Sequence, residues 1–127
     1  MTKHQSQVRD FMLAAGQGCP KKPSLEPTAD VQSLRYCLIE EELKEFGEAQ
    51  ANCDRIGVAD ALGDLLIVVY GAAVAYGFDM EPILDEIHRS NMTKFIDGHR
   101  REDGKWIKGP SYSPANLGPI IKKQMEG

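Results

Sequence analysis

Three things are scarce in this sequence: basic charge, paired cysteines and long apolar runs. Lys and Arg number 15 against 19 Asp and Glu, a formal net charge of -4. Without a basic field to track a phosphate backbone, duplex nucleic acid is not an expected partner. The three cysteines, Cys19, Cys37 and Cys53, are odd in number and form no CxxC. That excludes a disulfide scaffold and fits reduced thiols in a cytosol. His4, His88 and His99 are too scattered for a zinc pattern. The longest apolar run, 65–76, falls short of the roughly 20 residues that span a bilayer, and no signal-peptide pattern opens the chain. The expectation is therefore a cytoplasmic protein with no membrane partner.

What is present suffices for one core. The 127 residues are 42% hydrophobic, the size of an ordinary domain that folds without staples. We expect a single domain over 1–127, with its core at about 29–95 and a tail over 96–127. Val8, Phe11, Met12 and Ala15 recur at helical spacing before Gly16, predicting a first helix over 3–15. The stretch CPKKPSLEPT, over 19–28, has three prolines and reads as a surface loop that ends on Thr28 as an N-cap. A second helix is predicted over 29–52 and a third over 58–76, stopped by Gly77. The third is apolar almost all round after Asp64, which marks it as central in a bundle or at a subunit interface. Pro82 opens a fourth helix over 80–93, with Ile83, Leu84, Ile87 and Met92 inward. Beyond it, Asp103-Gly104 suits a small hairpin, and a terminal helix is expected over 114–125. The fold class is all-α, a four-helix bundle with an irregular C-terminal tail.

Carboxylates interrupt the apolar faces of two of these helices. At 100° per residue, Glu41 and Glu45 share the stripe of Leu34, Leu38 and Ala49, with Glu42 beside it. A Glu run usually marks a solvated face, and that reading suits Glu40 and Glu48; the phase of Glu41, Glu42 and Glu45 argues against it. On the third helix Asp60 and Asp64 are i and i+4 and open the stripe of Ile67, Gly71 and Ala75. A helix N-terminus welcomes Asp60, but Asp64 lies a turn further in. Like charges on a core-bound face call for a cation, and magnesium or manganese prefers such oxygen ligands. Counted from a turn over 53–57, the two clusters stand at unequal heights, about 9 Å apart at 1.5 Å per residue. The fourth helix adds Arg89, Asn91 and Lys94, which suit phosphate and equally suit a helix C-terminus.

In order along the chain, EELKE, DALGDLL, GAAVAYGFD, EIHRSNMTKF and DGKWIKGP resemble the all-alpha nucleoside triphosphate pyrophosphohydrolase superfamily. That superfamily includes MazG, dimeric dUTPases and phosphoribosyl-ATP pyrophosphohydrolase; the likeness, strongest to short MazG-like members with dUTPase activity, covers about 34–114. Its pattern is EExxE followed by ExxD. Glu41, Glu42, Glu45 and Asp64 match it, while the Glu of ExxD falls on Ala61, with Asp60 as the nearest substitute. The resemblance implies magnesium, with manganese as a substitute, held by Glu41, Glu42, Glu45, Asp60 and Asp64. It further implies Glu41 or Glu42 as the base that activates water, and Asn91, Lys94 and, with less of the pattern behind it, Arg89 on the substrate phosphates. The implied reaction converts a nucleoside triphosphate, dUTP or a non-standard nucleotide, to the monophosphate and pyrophosphate, in a homo-dimer or homo-tetramer. A non-catalytic nucleotide- or metal-binding regulator on the same bundle is the alternative. Phe11, Gln17, Tyr70 and Trp106 are candidates for the base pocket.

Overall fold

The structure, a computed structural model, describes residues 1–24 and 27–127; the part of the expected loop at 25 and 26 lies outside the described residues. It is all-α apart from one two-stranded ribbon, and it divides into two compact units, Met1–Met80 and Glu81–Gly127.

The first unit holds α1 (Lys3–Ala14), α2 (Ala29–Ala51) and α3 (Arg55–Tyr76). In each of these helices a side-chain oxygen satisfies one of the free N–H groups of the first turn. Thr2 Oγ1 accepts from Gln5 N at 3.3 Å, and Thr28 Oγ1 from Val31 N at 3.4 Å. Asp54 Oδ1 accepts from Gly57 N at 2.9 Å, so α3 starts ahead of the expected Val58 and the α2–α3 connection shrinks to a tight turn. Cys53 closes that turn at φ 51°, and Gly77 ends α3 at φ 80°, the left-handed region glycine enters freely.

α3 packs against both α1 and α2. Its Gly71, Ala73, Val74 and Ala75 are buried, small enough for helices to approach closely. Val8, Met12, Val74 and Ala75 form the core, with Cys19, Val31 and Tyr70 against it. Phe11, predicted on the inward stripe of α1, is instead 70% exposed. Gln5 takes the buried place one turn before Val8, where its Nε2 donates to Phe78 O at 2.6 Å and its Oε1 accepts from Met80 N at 3.0 Å. That pairing satisfies both ends of a polar group a core would otherwise reject. α3 is buried on one side only: Leu62, Leu66, Ile67 and Val69 are exposed. By length and composition α3 could cross a membrane. Its buried side, however, packs on α1 and α2 as the core helix of a bundle does.

The second unit carries most of α4 (Met80–Met92), then α5 (Lys94–Asp97), β1 (His99–Arg100), β2 (Trp106–Ile107) and α6 (Gly118–Glu126). The expected hairpin is there: β1 pairs antiparallel with β2, His99 opposite Ile107, and Gly104 turns the chain at φ 92°. On α4, Ile83 is buried as expected, whereas Leu84 and Met92 face outward and Ser90 is buried instead. Ser90 Oγ donates to Ser113 O at 2.8 Å, and Thr93 Oγ1 accepts from Ser113 N at 2.8 Å. The tail is thus tied to α4 by its backbone. Arg89 also donates to Pro114 O and Asn116 N to Glu86 Oε2, and α6 begins at Gly118, not at Pro114.

Candidate active site

The tight α2–α3 turn fixes the register of the acids. Glu42 and Asp64 are equidistant from it, so antiparallel packing sets them at one height. The unequal heights expected from the sequence came from placing the turn too late in the chain. One carboxylate oxygen each from Glu42, Glu45 and Asp64 lies within 4.8 Å of the others. Glu42 and Asp64 are half-buried and Glu45 is exposed. Glu42 Oε2 is buried and, among the described residues, has no hydrogen-bond donor. Burial first, then a hydrogen bond with the Glu45 carboxyl and the negative charges of Glu45, Asp64 and Glu41, push the Glu42 carboxyl up from its ordinary value. Its charged form is therefore disfavoured as it stands, and a cation among the three oxygens reverses the sign.

Glu41 and Asp60 are exposed and lie outside this group of three. Ala61, at the position of the missing family Glu, is 3% exposed and fills the space between the helices with a methyl group. In the second unit, Asn91 is exposed. Lys94 is half-buried with Nζ 6.0 Å from the Tyr112 ring centroid, and Lys108 Nζ lies 4.8 Å from the same ring. Arg89 is already engaged: its guanidinium forks onto Glu86 at 2.7 and 2.9 Å and donates to Ser113 Oγ and Pro114 O. It locks the tail to α4.

Sequence reading missed Arg35. It is 7% exposed on α2, and its Nη2 donates to Gln17 Oε1 at 2.9 Å while Nε has no partner among the described residues. Burial pulls its pKa down. It lines a cleft of about 490 Å³ with Gln17, Thr28, Val31, Leu34 and Ala75. The signal was present: Arg35 shares the stripe of Leu38 and Glu42, but a lone arginine in a helix reads as surface.

A family model of phosphoribosyl-ATP pyrophosphohydrolase matches residues 8–91. The chain belongs to this family. It is a pyrophosphohydrolase, a hydrolase acting on a phosphoric anhydride bond of a nucleotide. No curated protein sequence matches it. The superfamily resemblance read from the motifs is thereby borne out, with shifted limits. The family match begins within α1, ahead of the first motif, and runs across the division between the two units. It takes in Arg89 and ends at Asn91, with Lys94 just beyond.

Proposed function

We propose that this pyrophosphohydrolase converts a deoxynucleoside triphosphate, dUTP or a non-standard nucleotide, to the monophosphate and pyrophosphate in a magnesium-dependent reaction. The observation that carries the metal requirement is the buried, donorless Oε2 of Glu42 within a group of three carboxylates. All the donors are hard oxygens, which fit magnesium, or manganese in its place. Glu42, Glu45 and Asp64 would hold the ion; Asp60, one turn from Asp64, and Glu41 are the further ligands the motif implies. A bound ion would polarise the phosphate and lower the pKa of water. Glu41, exposed to solvent beside the cluster, takes the proton of the attacking water, with Glu42 the other candidate base. Asn91 and Lys94 bind substrate phosphate, Lys94 offsetting charge on the leaving group. Arg89 supports them by fixing the tail, unless it exchanges Glu86 for phosphate.

The family match across both units favours a single working domain over 1–127. The exposed apolar side of α3 favours a homo-dimer or homo-tetramer, and the unpaired thiols a cytoplasmic setting. A second substrate, phosphoribosyl-ATP, is favoured by the description of the matching family itself. A panel of nucleoside triphosphates and phosphoribosyl-ATP, assayed with and without magnesium and with products identified, tests the reading. Pyrophosphate release that needs the metal is expected; orthophosphate as the first product would overturn it.

A further inference from the structure

A charged cluster of the opposite sign lies in the second unit. Trp106 on β2 donates from Nε1 to Lys94 O at 2.7 Å, and its ring packs on Phe95 with 4.9 Å between centroids. These contacts dock β2 on α5 and bring Lys108, two residues further on, to the same tyrosine as Lys94. Two glycines permit the approach: a Cβ on Gly98 would run into Lys94 O and Ile107 O, and one on Gly109 into Asp97 O. Two ammonium groups thus stand within 6.0 Å of the Tyr112 ring centroid. Neither forms an ion pair with a described carboxylate. Three acids of this unit are engaged elsewhere: Asp97 accepts from Ser111, Asp103 from Arg101, and Glu86 from Arg89 and Asn116 N. Like charges gathered without a counter-charge are unfavourable until an anion joins them.

The ring that gathers them is pinned. Ser90, 2% exposed, has one hydroxyl proton, and Ser113 O at 2.8 Å can only accept it. Tyr112 OH therefore donates to Ser90 Oγ, at 3.2 Å. On either side, Ser111 Oγ donates to Asp97 at 2.6 Å and Ser113 N to Thr93 Oγ1 at 2.8 Å. A ring fixed in this way attracts both cations through its face and limits where they stand. We propose that Lys94, Lys108 and the Tyr112 ring form a diphosphate subsite, with Lys108 a further substrate-binding residue and Tyr112 the positioning residue for both lysines. The ligand class is a polyphosphate; its identification with the pyrophosphate end of the substrate rests on the hydrolysis proposed above. Each ammonium is a compact charge with three donors, and two of them suit the charge and oxygens of linked phosphoryl groups. Sulfate, a single tetrahedron with less charge, fits the pair less well.

Calorimetric titration of inorganic pyrophosphate in EDTA reads the subsite without metal or turnover, and Trp106, the sole tryptophan, adds a fluorescence readout. The wild type is expected to bind pyrophosphate at least about 10-fold more tightly than sulfate, and Lys108→Met to weaken pyrophosphate about 10-fold or more. Lys108→Arg should restore most of that loss. Lys105→Met removes an exposed charge from the same hairpin and should change nothing. Tyr112→Phe keeps the ring and should bind as the wild type does, whereas Tyr112→Leu should lose about 5-fold. Circular dichroism checks that each variant folds. In turnover, Lys108→Met should raise the KM of the triphosphate with kcat little changed. Sulfate bound as tightly as pyrophosphate, a loss in Lys105→Met equal to that in Lys108→Met, or no metal-free binding of pyrophosphate would overturn the subsite. Equal losses in Tyr112→Phe and Tyr112→Leu would remove the ring from it, and an unmoved KM in Lys108→Met would overturn its place in the substrate site. Pyrophosphate binding that depends on Lys108, in a protein that releases none from any nucleotide, would uphold the subsite and sink the hydrolysis reading alone.

Discussion

At Glu42, a carboxylate faces two others and its buried oxygen accepts from nothing. Replacing it by glutamine removes a like charge while keeping shape, so metal-free stability at neutral pH should hold or rise. Activity should fall about 100-fold or more, the scale of a lost transition-state group. Magnesium, expected to raise the wild-type Tm if it binds only the folded chain, should no longer do so in the variant. Thermal melts with and without magnesium check both statements; a destabilised metal-free variant would mean that Glu42 serves packing. Gly71 makes an opposite point. An alanine inside a helix ordinarily gains about 1 kcal/mol over glycine. Here its methyl would press on the Arg35 guanidinium, which must shift toward the cleft it lines and strain its hydrogen bond to Gln17 Oε1. Gly71→Ala should therefore cost about 1–3 kcal/mol in urea unfolding, the range of overpacking.

Between elements, the deciding quantity is where a turn falls. Helical phase in the sequence put Glu41 and Glu45 on the inward stripe and Glu42 at its edge; the structure instead half-buries Glu42 and exposes Glu41 and Glu45, although Glu45 still joins Glu42 and Asp64 in the group of three. The height of that meeting was not legible. It depends on Asp54 capping α3 and Cys53 accepting a left-handed backbone, local events that periodicity does not report. Arg35 was only half legible for a related reason: its place on the stripe of Leu38 and Glu42 could be read, its burial could not. Its burial follows from a glycine on another helix, and no single helix pattern records such a pair. The α4–tail junction was equally hidden: Ser90, polar in the sequence, is buried because a distant backbone comes to meet it. Glu86 is the acid of that junction, taking the Arg89 fork and the Asn116 N–H at 2.7 Å. Its carboxyl is pulled from 4.5 to about 2, by the Arg89 hydrogen bonds first and the Asn116 N–H second. A depressed carboxylate contributes stability above its unfolded value and loses it as pH falls. The junction should accordingly loosen between pH 4.5 and about 2. Hydrogen exchange at Asn116 followed through that window reads it, and Glu86→Gln should flatten the profile.

For the molecule as a whole, the unsettled account is the apolar surface it leaves open. Leu62, Leu66 and Val69 recur at i, i+4 and i+7 on the outer side of α3, with exposures of 44%, 61% and 42%. Tyr36 and Leu43, two turns apart on α2, are 67% and 56% exposed. Single exposed apolar residues are ordinary, but a helical stripe of them is the kind of surface a partner covers, and a second copy is the one proposed above. An isologous contact through this side would bury α3 on both faces, matching its nearly uniform apolar composition. Sedimentation of the wild type should therefore give a dimer or tetramer. Leu66→Glu sets a charge in the middle of the stripe, about 200° round α3 from Asp64 at 100° per residue. It should shift the equilibrium toward monomer at micromolar concentration and lower the Tm, with the Tm loss shrinking as protein concentration rises. A wild type that sediments as a monomer would leave the stripe to some other partner and remove the oligomer from the proposed function.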